Sequence, residues 1–214
     1  MRIAIIGPII GPVIGPVIGL SVFTLSACGA GEAGPAKVAG PCGNVQPILE
    51  ARAEAEPFKS LRGKNRMLGD RPLPDSFEGK HDAFGKACTT NVMDGFGGGA
   101  TIYTYSCPLF EGNSMGRDAD SKEAEAAFNK AADEMKACLG EGWETAEDTE
   151  DMEYEVYHKY TYKPADMQGS ASGFTADPAF LEMSYTPFMR GRGGPSGWQV
   201  VLQFQAQVDA AEGE

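Results

Sequence analysis

Trp198-Gln-Val-Val-Leu-Gln-Phe-Gln-Ala-Gln-Val208 decides the fold class. Trp198, Val200, Leu202, Phe204, Ala206 and Val208 share one side of an extended chain, and Gln199, Gln203, Gln205 and Gln207 share the other. Successive side chains of a strand point to opposite faces, so this stretch reads as a strand with one face in a core and one wet. Working backwards, Leu181, Met183 and Tyr185 alternate over 180–186. Tyr154, Val156, His158, Tyr160 and Tyr162 do so over 154–163 against Glu155, Lys159 and Lys163. Met189 to Gly197, rich in glycine with one proline, supplies the turn between the last two strands.

Residues 86–93 and 100–107 flank Asp94-Gly-Phe-Gly-Gly-Gly99, and the second arm is dense in β-branched and aromatic residues, which predicts a hairpin. Between these strand groups, Ala124, Ala127, Phe128, Ala131, Met135, Cys138 and Leu139 recur at three- and four-residue steps. Asp120 with Glu123 forms a capping-box-like start and Gly140 a C-terminal stop, so residues 121–139 are expected to be helical. Val45, Ile48, Leu49, Ala53 and Phe58 approximate a second, short helical stripe over 44–61, with Pro57 ending or bending it. Residues 62–82, rich in Gly, Pro and charge, read as a loop. The expectation is an α+β domain over 42–208: an antiparallel sheet of about four to five strands packed against the 121–139 helix, plus a short N-terminal helix. Residues 209–214 form an acidic tail.

The chain has 214 residues, 42% hydrophobic and 22% charged, with a formal charge of −12. That suits one globular domain with a core that needs no cofactor. An acidic body is repelled by phosphate backbones, which argues against nucleic acid as a partner. It is equally repelled by anionic lipid, so membrane attachment is expected to need a covalent lipid.

Such a lipid has an acceptor. Met1 and Arg2 precede an uncharged run from Ile3 to Leu25, which ends in Leu25-Ser26-Ala27-Cys28. This resembles the lipobox of bacterial lipoprotein precursors. The resemblance implies export with residues 1–27 as signal peptide, diacylglyceryl on the Cys28 thiol, and cleavage between Ala27 and Cys28. It further implies anchoring to a membrane of the cell envelope on its periplasmic or extracytoplasmic side. Gly29 is not the aspartate of inner-membrane retention, so an outer membrane is favoured where the host has one. A permanent transmembrane helix competes, but prolines at 8, 12 and 16 interrupt the run. Residues 28–41, almost entirely Gly, Ala and Pro after the cysteine, read as a flexible tether.

With Cys28 assigned to lipid, Cys42, Cys88, Cys107 and Cys138 remain, an even number in a disulfide-permissive compartment. Two disulfides are expected, with Cys42 to Cys88 and Cys107 to Cys138 favoured and Cys88 to Cys107 as competitor. The spacings lack the close pairs of a zinc site, and no metal is expected.

Gly112-Asn-Ser114-Met-Gly116 matches a nucleophile elbow, and Asp148 or Asp151 with His158 completes a triad on paper. Against it, His158 falls mid-strand among tyrosines and the following helix starts too late. Gly95 to Ala100 matches a dinucleotide fingerprint but is followed by a strand. Eight acids and no Lys or Arg stand between Glu141 and Glu155, without the ligand spacing of a calcium loop, and read as a solvated loop. Lys59, Arg62, Lys64, Arg66 and Arg71 form a basic counterpart. The reading is a non-enzymatic, lipid-anchored envelope protein that binds another protein or a cell-wall component. An inhibitor of an envelope-acting enzyme and a Ser114 hydrolase are the alternatives.

Overall fold

The computed structural model describes residues 42–96, 99–112, 114, 116–152, 155–167, 175–187 and 196–209. Helix α1 (Gln46–Arg52) is followed by strands β1 (Arg62–Leu68), β2 (Arg71–Gly79), β3 (Thr89–Phe96) and β4 (Ala100–Glu111). Helix α2 (Ser121–Leu139) comes next. It leads into β5 (Trp143–Asp151), β6 (Val156–Pro164), β7 (Ala179–Thr186) and β8 (Gly197–Val208). All eight strands join one sheet in the order β1-β2-β3-β4-β8-β7-β6-β5, and every pairing is antiparallel.

This corrects the expected α+β domain of four to five strands. Among the described residues the architecture is a single eight-stranded antiparallel sheet carrying two helices. The three strands missed are β1, β2 and β5. The first two come from the stretch taken for a loop, and β5 from the acidic run taken for a solvated one. All three lie at or next to a free edge, where a strand needs no apolar face and tolerates Pro and charge. Nothing in β5 alternates in polarity, because eight of its nine residues face solvent. It is held by its ladder to β6, which runs from Trp143 opposite Pro164 to Asp151 opposite Val156.

The centre of the sheet follows the period-two pattern. In β8, Trp198, Val200, Leu202, Phe204 and Ala206 are buried, whereas Gln199, Gln203, Gln205 and Gln207 are half-buried on the other face. Val208, at the strand end, is 43% exposed. Helix α2 lies over β4, β8 and β7 and buries Ala124, Phe128, Ala131 and Met135 against them. Full burial of a side chain such as Phe128 contributes about 1.5–3 kcal/mol. Asp120 precedes the helix at a positive φ of 62° and makes no side-chain cap, so the expected capping box does not form.

Helix α1 packs on β8, burying Val45, Ile48 and Ala51, and is shorter than the stripe from 44 to 61 suggested. Phe58, after the helix, is fully buried with its ring centroid 5.8 Å from that of Tyr105. The Tyr105 hydroxyl donates to the His81 carbonyl at 2.7 Å and accepts from the His81 amide at 3.2 Å, which pins the β2–β3 connection over the sheet. Burial pushes this phenol up to about 12.

The disulfides are Cys42–Cys138 and Cys88–Cys107, with Cα separations of 5.3 and 4.2 Å. The favoured pairing of Cys42 with Cys88 and Cys107 with Cys138 is therefore corrected. Cys88, immediately before β3, falls across from Cys107 of β4, as the competing reading had it. The return of α2 across the sheet then brings Cys138 to the start of the domain, which no spacing in the chain reveals.

Candidate functional site

Strand β6 carries its chemistry on both faces. His158, Tyr160 and Tyr162 point to the helix side, and Tyr157, Lys159 and Lys163 to the open side, as register with Met183, Leu181 and Ala179 against Ser184 and Glu182 dictates.

On the helix side, Phe128 lies 4.5 Å from the His158 ring and 5.4 Å from that of Tyr160, and Tyr160 lies 6.4 Å from Tyr162. Beside this row, Ala132, Asp133 and Lys136 of α2 and Thr145 of β5 line a notch of about 390 Å³. Its two tyrosines are raised from the ordinary phenol value by burial, with Glu147 adding to the effect at Tyr160. A His158 ring nitrogen bonds the Glu147 carboxylate at 2.8 Å. Asp133 and Lys136 are its one acid and one base, so its lining carries no net charge.

The open side differs in charge. Asp148, Lys159 and Glu182 form one cross-strand row, and Glu150, Tyr157 and Ser184 the next. A groove of about 440 Å³ runs there, lined by the carboxylates of Asp148, Glu150, Glu155 and Glu182 around Tyr157. Lys159 does not neutralise it. Its ammonium turns to Asp177 at 3.1 Å and lies 4.5 Å from the Phe180 ring centre, and Lys163 reaches the same carboxylate at 3.3 Å. Burial alone would raise the Asp177 carboxyl, but the two ammoniums outweigh it and hold it below the usual aspartate value. Burial, then Glu182, Asp148, Asp177 and Glu150, push the Tyr157 phenol upward, so it stays protonated as a donor beside acceptors. The groove opens onto β5, an edge strand with no partner strand on its outer side among the described residues.

The triad written from sequence is not assembled. The Ser114 hydroxyl accepts the Gly116 amide at 3.1 Å, and the His158 ring is bonded to Glu147 and packed on Phe128. Asp148, opposite Lys159, lies on the other face of the sheet from His158, and Asp151 pairs with Arg117. Trp198 is a core residue whose indole donates to the Arg117 carbonyl at 2.7 Å. Among the described residues no cluster of His, Cys, Asp and Glu is arranged to hold a metal ion, and no helix is long and apolar enough to cross a membrane. Cys28, the tether, Tyr154 and most of the 189–197 turn lie outside the described residues.

Sequence reasoning found the acids of 141–155 but not their groove. Glu182 and Asp177, which shape its charge, come from the opposite side of β6 and are 27 or more residues away from Glu150 in the chain. Comparison with protein-family models, with curated proteins and with solved structures finds no match to this chain.

Proposed function

We propose that this is a lipid-anchored, non-enzymatic module of the cell envelope that binds another protein by accepting a basic, extended segment along its acidic edge. The observation that carries the binding reading is β5: an edge strand exposed along nearly its whole length and bordered by a groove of four carboxylates whose neighbouring lysines are already engaged. Unpaired strand-edge backbone supplies affinity to an added strand, and pockets for alternate side chains supply selectivity. Cationic side chains of that strand would fall on the Asp148 and Glu150 rows. The anchor reading is supported by Leu25-Ser26-Ala27-Cys28 after an uncharged run and by the two disulfides, which suit an oxidising compartment.

The test uses an extended peptide of alternating lysine and valine and reads amide hydrogen exchange of the full chain. Binding should slow exchange in β5, weaken steeply with salt, and be lost in the Asp148→Lys/Glu150→Lys variant while its circular dichroism stays unchanged. Unchanged exchange in β5 at saturating peptide, or protection that survives the charge reversal, would refute the reading. Labelled fatty acid should be incorporated by the parent chain and not by Cys28→Ser.

A further inference from the structure

The β1–β2 hairpin has a tip unlike the rest of this acidic molecule. Met67 is 57% exposed and Leu68 71%, consecutive residues at the end of β1, and Gly69 at a φ of 60° and Asp70 turn the chain back to Arg71 opposite Leu68. Lys64, Arg66 and Arg71 are exposed around them, and none takes part in an ion pair among the described residues. The hairpin is braced from within, since the Asn65 side chain donates to the carbonyls of Leu73 at 2.9 Å and Pro74 at 3.2 Å.

Strand directions place this tip. The pairings set the β1–β2 turn, the β3–β4 turn, the end of β8 and the start of β5 at one end of the sheet. Helix α2 leaves the far end of β4 and returns to this end, where β5 begins, so Cys138 and its disulfide partner Cys42 stand there too. Cys42, the first described residue, therefore stands at the end that carries the hairpin tip. Of the five large apolar side chains exposed among the described residues, Met67, Leu68, Met93 and Val208 lie toward this end and Met152 toward the other.

We infer that the β1–β2 hairpin docks on an anionic lipid surface, with Met67 and Leu68 entering the interface and Lys64, Arg66 and Arg71 meeting the headgroups. This rests on the anchor reading for its setting, because a chain held through residue 28 has 14 residues to reach Cys42. Asp70 in the turn and Asp75 and Glu78 on β2 offset part of the basic charge, whereas the acidic run of β5 does not reach this site. The acidic strand β5 is the opposite edge, seven strand spacings or about 33 Å away along the sheet. That is about four Debye lengths at physiological ionic strength. A diacylglyceryl group carries two acyl chains and anchors by itself, so the basic patch would orient the domain on the surface rather than supply the attachment.

The experiment uses the purified full chain bearing Leu68→Trp. Tryptophan emission is read with vesicles of phosphatidylglycerol and phosphatidylcholine, with phosphatidylcholine vesicles, and without vesicles. Emission should shift to the blue on the anionic vesicles alone. Neutralising Lys64, Arg66 and Arg71 to Gln should weaken the effect about a hundredfold, roughly fivefold per cation. No shift on anionic vesicles, or the same shift on zwitterionic ones, overturns the inference. A shift that needs no vesicles and grows with protein concentration also overturns it, in favour of pairing with the acidic edge of a second copy. Acylation of Cys28, measured on the same preparation by mass, is independent: an acylated chain without the shift sinks the hairpin alone, and a shift on an unacylated chain sinks the anchor alone.

Discussion

Cys42 and Cys138 offer the sharpest perturbation, because their bond spans 96 residues of chain whereas Cys88–Cys107 spans 19. In the chain-entropy account, cross-linking removes conformational freedom from the unfolded state in proportion to the logarithm of the loop. The longer loop then contributes about 4.7 kcal/mol and the shorter about 3.3 kcal/mol at 25 °C. The first figure is comparable to the whole stability of many domains, about 5–15 kcal/mol. Cys42→Ser and Cys138→Ser should each lower stability by about 4.7 kcal/mol, and the double variant by the same amount rather than twice as much, since one bond is lost in all three. Urea unfolding followed by Trp fluorescence would show a midpoint lower by about 2 M for an m-value of about 2 kcal/mol/M. Non-reducing peptide mapping supplies the partner assignment. Additive losses in the double variant, near 8 kcal/mol from bonds of about 4.1 and 3.7 kcal/mol, would mean that Cys42 and Cys138 belong to different disulfides, and the reasoning would fail.

Gly197 opens β8 at a φ of 91°, and a Cβ there would press on the Ser114 carbonyl oxygen. Gly197→Ala should therefore cost at least about 1–3 kcal/mol from the backbone conformation alone, seen as a lower Tm. Asp177 has a depressed carboxyl, so the stability it contributes is present above its unfolded value and is lost as pH falls through the lower folded one. Acid titration of the parent below about pH 4 should be steeper than that of Asp177→Asn. Parallel curves would show that Lys159 and Lys163 do not hold it.

Taken alone, the amino-acid sequence determined the elements whose environment is one-sided. Alternation over 198–208 and the 3.6-residue stripe of 121–139 survive because one face of each meets a core and the other is more open to water, while in 180–186 Leu181, Met183 and Tyr185 keep the core face although Ser184 and Thr186 on the other face are buried too. The number of disulfides was legible in the same way, from an even cysteine count once Cys28 was set aside. Tertiary structure decided whatever depends on a partner distant in the chain. Strands β1, β2 and β5 have little or no apolar face to announce them and exist because a neighbour offers its backbone. Cys42 meets Cys138 only because α2 returns across the sheet. The charge of the groove is set by register, which puts Asp148 and Glu182 in one row across Lys159, and Glu150 in the next, while Asp177 draws Lys159 and Lys163 away. The basic residues of 62–71, spread along what reads as a loop, become a braced hairpin at the end of the sheet where Cys42 and Cys138 stand. Local pattern records burial; it does not record which edges remain free or which charges end up as neighbours.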